Sequence, residues 1–299
     1  MTNNVTTKLQ ELNLLDRFLF DETMENLEAY QAAVSILLEE EVELIERPET
    51  EKEFRISPEL RQIRLDVVSM DIGKKLYYTE MQQRDTKNLR KRSRFYQAQL
   101  DVSLLEPGSK DFNSLNDSCF ILVAPFDIFD RGLYRYTFEG VCRECPDLKI
   151  NDGAIRVFIN TKGTNKQEFS QEFLDFMEYI NDSSDWMADR TQSGKIKVIH
   201  ENVKKIKSSE KMGVKYMQLW EEKAYIREDA FAEGVEKGIE KGIEKGIEKG
   251  LEAFIQDNLE EGKDRKIIID KLMKHFQLSE KEAADYLEKY ENPSNNKKR

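Results

Sequence analysis

The chain has 299 residues, of which 39% are hydrophobic, enough for one sizeable domain with an appendage or for two domains. No apolar run reaches the roughly 18 residues of a transmembrane helix, so no membrane span is expected. A formal net charge of −11 argues against a protein that coats nucleic acid non-specifically, while leaving room for a local basic groove.

The opening "MTNNVTTKLQ" has no basic stretch followed by an apolar core. No signal peptide is therefore expected, and the location expected is cytoplasmic. Three cysteines in such a chain fit a reduced compartment. Two of them form "CREC" at 142 to 145, but no second such pair or histidine cluster exists to complete a zinc site. They read as small, partly buried residues beside a turn at Pro146.

Residues 14 to 40 carry Met24, Leu27, Val34, Leu37 and Leu38 at helical spacing, with Asp21 or Thr23 as the expected N-cap. Pro48 and Pro58 punctuate a loop or short extended stretch. Residues 63 to 70 and 75 to 82 alternate like two strands around Gly73. Residues 86 to 105 predict a helix ending near Pro107 and Gly108. "SCFILVAPF" at 118 to 126 is a continuous apolar run, as in a strand buried on both faces. "LYRYTFEG" and "AIRVFIN" are further strand candidates, and residues 167 to 182 form an amphipathic helix. This order predicts an α/β fold, a mixed core sheet with helices on its faces.

From about residue 196 the strand signals stop. The repeat "EGVEKGIEKGIEKGIEKGLE" has a period of four, so on a helix its apolar positions Val235, Ile239, Ile243, Ile247 and Leu251 drift by about 40° per repeat. Each glycine weakens the helix by about 1 kcal/mol relative to alanine. Glycine holds a coiled-coil seam poorly and the 3.5-residue period is absent, so a pliable connector is favoured over a self-association stalk. Residues 263 to 290 predict two short helices. Ile267, Ile268, Leu272 and Phe276 line the first, and Ser279 with Glu282 forms a capping box for the second. Such a pair is either a small hairpin that packs or dimerises, or a helix-turn-helix reader of DNA; its balance of acids and bases favours the hairpin. The tail "NPSNNKKR" is expected to be disordered.

Two acids in the predicted hairpin carry the functional question. If its loop is centred on Gly73, paired residues sum to 146, and Asp66 then faces Glu80 directly, with Gln82 on the same face. A slip of one residue would send the two acids to opposite faces. Like charges so opposed are destabilising unless a cation sits between them or both point into water. Hard oxygen donors suit magnesium or manganese, which can activate a bound water for attack on phosphorus. The next predicted helix begins with Lys87, Arg90, Lys91, Arg92 and Arg94, followed by Phe95 and Tyr96. A basic helix beside an acid pair suits a phosphodiester substrate; its plain structural reading is a solvated face with Phe95 and Leu100 in the core. Phe112, Phe126, Phe129, Tyr134, Phe138, Phe158 and Trp186 are read as core rather than as base-stacking groups.

The order of an acid-bearing helix, Asp66, Glu80-x-Gln82, and a helix with Arg94 and Tyr96 resembles the PD-(D/E)XK nuclease superfamily. With "FILVAPFDIFDRGLYRYTFEG", "GAIRVFINTKG" and the "EKG" repeats, the chain is similar along nearly its whole length to the Rpn-type recombination-promoting nucleases and transposases. The resemblance implies a restriction-endonuclease-like core at 1–195. After it come a helical extension at 196–232, the repeat connector at 233–252, the hairpin at 253–290 and the tail at 291–299. It implies that Asp66 and Glu80 bind Mg²⁺ or Mn²⁺, joined by an acid from the first helix. Glu28 and Glu25 are the candidates, with Glu28 preferred. Gln82 stands where the superfamily usually has lysine, and would orient water without adding charge. The superfamily's proline before the first acid is replaced by "IRLD". Lys87, Arg90, Lys91, Arg94 and Tyr96 would engage DNA. The implied activity is metal-dependent DNA endonucleolysis linked to recombination or mobile elements, with a homo-oligomer through the C-terminal helices as a further possibility. The alternatives are a catalytically degenerate nuclease fold acting in protein interactions, and a DNA-binding regulator using residues 263 to 290.

Overall fold

Two helices begin at side chains that accept a hydrogen bond from their own first turn. Asp16 takes the Phe18 amide at 3.0 Å and opens α1 (Arg17–Met24); Asn26 takes the Ala29 amide at 3.0 Å and opens α2 (Leu27–Leu38). Asp21 and Thr23, expected as caps, lie inside α1 and are buried. The computed structural model describes residues 8–45, 47–54, 63–105 and 110–291. Pro58, Pro107, Gly108 and the tail from residue 292 lie outside the described residues.

The chain divides into two units, Met1–Met217 and Gln218–Arg299. The first is built on a six-stranded mixed sheet. Its strands are β1 (Glu49–Phe54), β2 (Ile63–Met70), β3 (Leu76–Met81), β4 (Ser118–Ala124), β5 (Arg135–Phe138) and β6 (Ala154–Asn160), in the order β1-β2-β3-β4-β6-β5. β1, β2 and β3 form an antiparallel meander. α3 (Leu89–Leu104) then carries the chain across to β4, which runs parallel to both β3 and β6, and β5 closes the far edge antiparallel. The parallel strands explain the apolar run: every residue of β4 is buried, because both faces of the sheet are covered.

The face beneath α3 is packed by Val68, Tyr78, Phe120, Leu122 and Phe158 against Leu89 and Leu100. On the other face Tyr30 of α2 reaches Thr79 at 3.0 Å and the Tyr77 carbonyl at 3.2 Å. α4 (Gln171–Asn181), α5 (Asp185–Arg190) and α6 (Gly194–Ser208) follow. α6 buries Ile196, Ile199 and Val203 and packs on α1 and α2, so residues 194–208 are integral to the first unit. Of the aromatics expected in the core, Tyr134 and Phe158 are buried. Phe112 and Trp186 are 74% and 63% exposed and stand outside it. Phe95 is also 41% exposed, since α3 turns Leu89, Ser93, Gln97 and Leu100 inward instead.

The repeat is helical throughout, within the 51-residue α7 (Glu210–Glu260), and its residues Val235, Ile239, Ile243 and Ile247 are exposed. In the second unit α8 (Arg265–Phe276) and α9 (Glu280–Glu291) form the expected hairpin. Ser279 and Glu282 exchange the hydrogen bonds of a capping box, at 3.3 Å from the Glu282 amide and 2.8 Å from the Ser279 amide. The hairpin does not stand alone: Leu251 and Ile255 of α7 join Ile268, Leu272, Ala283 and Leu287 in one small core.

The Tyr78 hydroxyl is buried without a hydrogen-bond partner among the described residues, inside an otherwise apolar cluster. Such a hydroxyl carries a desolvation penalty that phenylalanine lacks. Tyr78→Phe should leave stability unchanged or raise it by about 1 kcal/mol in urea unfolding. A loss of that size would show that the hydroxyl has a partner.

Candidate functional site

The hairpin register sets the site. Val67 pairs with Thr79, Val68 with Tyr78, Ser69 with Tyr77 and Met70 with Leu76, the pairing expected for a loop centred on Gly73. Asp66 and Glu80 are the next positions outward. By strand alternation they share the face of Val68 and Tyr78, beneath α3. Both acids are buried, Asp66 to 1% and Glu80 to 5% exposure. The reading in which they point into water is therefore excluded. Asp66 Oδ2 accepts the Met81 amide at 3.0 Å, which ties the carboxylate to the partner strand.

A third acid comes from the first helix. It is Asp21, 3% exposed and close enough to both strand acids to disturb their ionisation. Glu28 and Glu25, the expected donors, sit elsewhere. Glu28 is exposed in the first turn of α2, and Glu25 bonds the Thr50 hydroxyl at 3.1 Å and faces Arg47 at 3.5 Å. The reason is helical geometry. The break at Glu25 and Asn26 ends α1 and starts a new helix, so only residues of α1 keep the phase that faces Asp66.

Two arginines meet the three acids. Arg17, one turn before Asp21, places its Nη2 on Asp66 Oδ1 and its Nε 3.4 Å from Asp21 Oδ2. Arg92 of α3 places its Nη2 3.8 Å from Glu80 Oε2 and on the Gln82 side-chain oxygen. The Gln82 amide nitrogen donates to the Arg84 carbonyl, so both ends of that side chain are engaged. Arg94, expected to serve the site, is exposed: it follows Arg92 by two residues, which turns it about 200° around the helix. Tyr96, one turn after Arg92, is half-buried with the Arg92 guanidinium 5.6 Å from its ring centre.

Of the other expected DNA contacts, Lys87, Arg90 and Lys91 are exposed at the start of α3. Lys87 pairs with Asp85 at 2.6 Å, and Arg90 bonds the Ile128 carbonyl over the Phe129 ring. The hollow of about 560 Å³ that they line also presents Asp85, Asp127 and Asp130, so it is mixed in charge rather than uniformly basic.

Burial first, and then the neighbouring Asp66 carboxylate, push the carboxyls of both Asp21 and Glu80 upward, to about 8. Arg17 and Arg92 oppose that shift without cancelling it. Asp21 Oδ1 and Glu80 Oε1 are buried without a hydrogen-bond partner among the described residues. Fully ionised, the three carboxylates would outnumber the two arginines described beside them. The fit to a divalent ion follows from the donors. Asp66 and Glu80 offer hard carboxylate oxygens, one of them lacking a hydrogen bond, and magnesium is commonly held by one or two carboxylates plus water. Among the described residues no set of three ligating side chains forms a ready-made cage, so any ion here would rest on this pair.

The pH dependence follows from the sign of these shifts. An acid whose folded pKa lies above its unfolded value binds its proton more tightly when folded. Its contribution to stability is present below the unfolded pKa and is lost as pH rises through the folded one. Metal-free protein should therefore lose stability between about pH 4 and pH 8. Asp21→Asn should flatten that loss by on the order of 1–3 kcal/mol, read as urea midpoint against pH. An unchanged profile would remove Asp21 from the cluster. Comparison with protein-family models, with curated proteins and with solved structures gave no match.

Proposed function

We propose that the chain is a divalent-metal-dependent DNA endonuclease of the PD-(D/E)XK type, acting in recombination or mobile-element movement. One observation carries this reading: Asp66 and Glu80 stand one position beyond the paired register of β2 and β3, both buried, with a third acid and two arginines converging on them. A soluble fold gains nothing in stability from three crowded carboxylates, and such perturbed groups concentrate at functional sites. The order of parts is also the one on which the resemblance rests: acid-bearing helix, Asp66 strand, Glu80-x-Gln82 strand, basic helix.

On this reading Asp66 and Glu80 hold the ion, and magnesium or manganese would supply an activated water and neutralise charge building on the phosphate. The chain's own residues do the rest. Arg92, docked on the Gln82 amide, brings to that place the positive charge that glutamine lacks. Tyr96 packs beside Arg92 and limits its motion. Lys91 and Arg94, exposed on α3, face outward where a DNA backbone would pass.

A second reading has its own support. Arg17 already neutralises Asp66, and both ends of Gln82 are engaged, as expected of a nuclease fold that has become an interaction protein. Plasmid cleavage decides between them. Wild-type protein should nick DNA with Mg²⁺ or Mn²⁺ and not with EDTA. Asp66→Ala and Glu80→Ala should each lose activity by about 100-fold or more while retaining a cooperative melt. Full activity in either variant would contradict the assignment. No cleavage by folded wild type would favour the interaction protein.

A further inference from the structure

The position of Arg17 bears on how the site would take up an ion. Asp66 has one oxygen committed to the Met81 amide at 3.0 Å, and Arg17 covers the other. The oxygen that Asp66 has to offer an ion is thus the one in contact with the guanidinium. The two arginines are not held alike. Arg92 is 22% exposed and anchored on Gln82, whereas the Arg17 side chain is 40% exposed and, among the described residues, pairs with Asp66 and Asp21. Although the Nη2 on Asp66 is buried, part of the Arg17 side chain already lies at the surface, which gives it a shorter way to solvent than Arg92 has.

Formal charge points the same way. With all three acids ionised, the described side chains Asp21, Asp66 and Glu80 against Arg17 and Arg92 sum to one net negative charge; with one divalent ion in place of Arg17 they sum to none. Adding the ion while keeping Arg17 in place would instead leave a buried excess of positive charge, which is unfavourable in a medium of low dielectric.

We propose that Arg17 is a built-in competitor of the divalent ion: guanidinium and ion are alternative occupants of Asp66 Oδ1, and uptake of the ion expels Arg17 toward solvent. This rests on the reading of Asp66 and Glu80 as metal ligands. It makes Arg17 a positioning residue that sets the ion concentration at which the site fills.

The test is Mn²⁺ binding to the full chain by titration calorimetry, for wild type, Arg17→Met, Arg17→Lys and the double variant Arg17→Met/Asp66→Ala. Removing a competitor that occupies the site most of the time should tighten the apparent Kd by about tenfold or more in Arg17→Met. Arg17→Lys, with a shorter stem and a single ammonium, should bind more tightly than wild type by a smaller factor. The double variant should lose the gain. Equal affinity in wild type and Arg17→Met would overturn the competition while leaving the metal site standing, and weaker binding would show that Arg17 supports the ion. If none of the proteins binds Mn²⁺, the metal reading itself falls, and the proposal with it. If Arg17→Met gives no cooperative melt, Arg17→Lys decides: tighter binding supports the proposal, and unchanged or weaker binding overturns it.

Discussion

The opposition of Asp66 and Glu80 across the β2–β3 hairpin is the constraint around which the first unit is arranged. The register is fixed by the strands themselves, from Met70↔Leu76 to Val67↔Thr79, and a slip of one residue would send Asp66 and Glu80 to opposite faces of the sheet. The hydrophobic pattern that secures the hairpin thus also forces two carboxylates into one buried place. Like charges so placed demand compensation, and the neighbouring elements supply it. α1 contributes Arg17, α3 contributes Arg92, and a proton taken up by the Asp21 and Glu80 pair, whose carboxyls are pushed upward, offsets the remaining negative charge.

That compensation explains why the surrounding helices sit where they do. α1 buries nearly every residue from Phe18 to Met24, and its polar pair Arg17 and Asp21, four residues apart, is aimed at Asp66. α3 lies over the same face and meets Glu80 through Arg92 while Leu89 and Leu100 complete the core. Packing and chemistry share these elements. Substitutions of Asp66 or Glu80 therefore test function only when folding is followed as well.

Much of this was legible in the sequence, and the misses share one cause. Period-two alternation and the apolar run gave β2, β3 and β4, because burial on one face or both leaves a direct trace in composition. The Gly73-centred loop gave the register, and Ser279 with Glu282 gave the cap of α9. What failed was choosing among similar side chains on one helix. Asp21 looks like a cap from spacing alone, yet Asp16 takes that role and leaves Asp21 inside. Arg92 and Arg94 differ by half a turn, and only the packing of α3 shows which faces Glu80. Arg17 beside Asp21, in a segment of bulky apolar residues, was the available sign of a buried ionic pair. Phe112 and Trp186 show the converse, since an aromatic side chain alone does not fix burial.

Anomalous diffraction from crystals of the full chain grown with Mn²⁺ tests the central claim most directly. A strong peak bonded to the carboxylates of Asp66 and Glu80, with Arg17 displaced from Asp66, is the predicted result. No peak there at saturating Mn²⁺, with Arg17 still seated on Asp66, would contradict it and leave the cluster a purely internal ionic network.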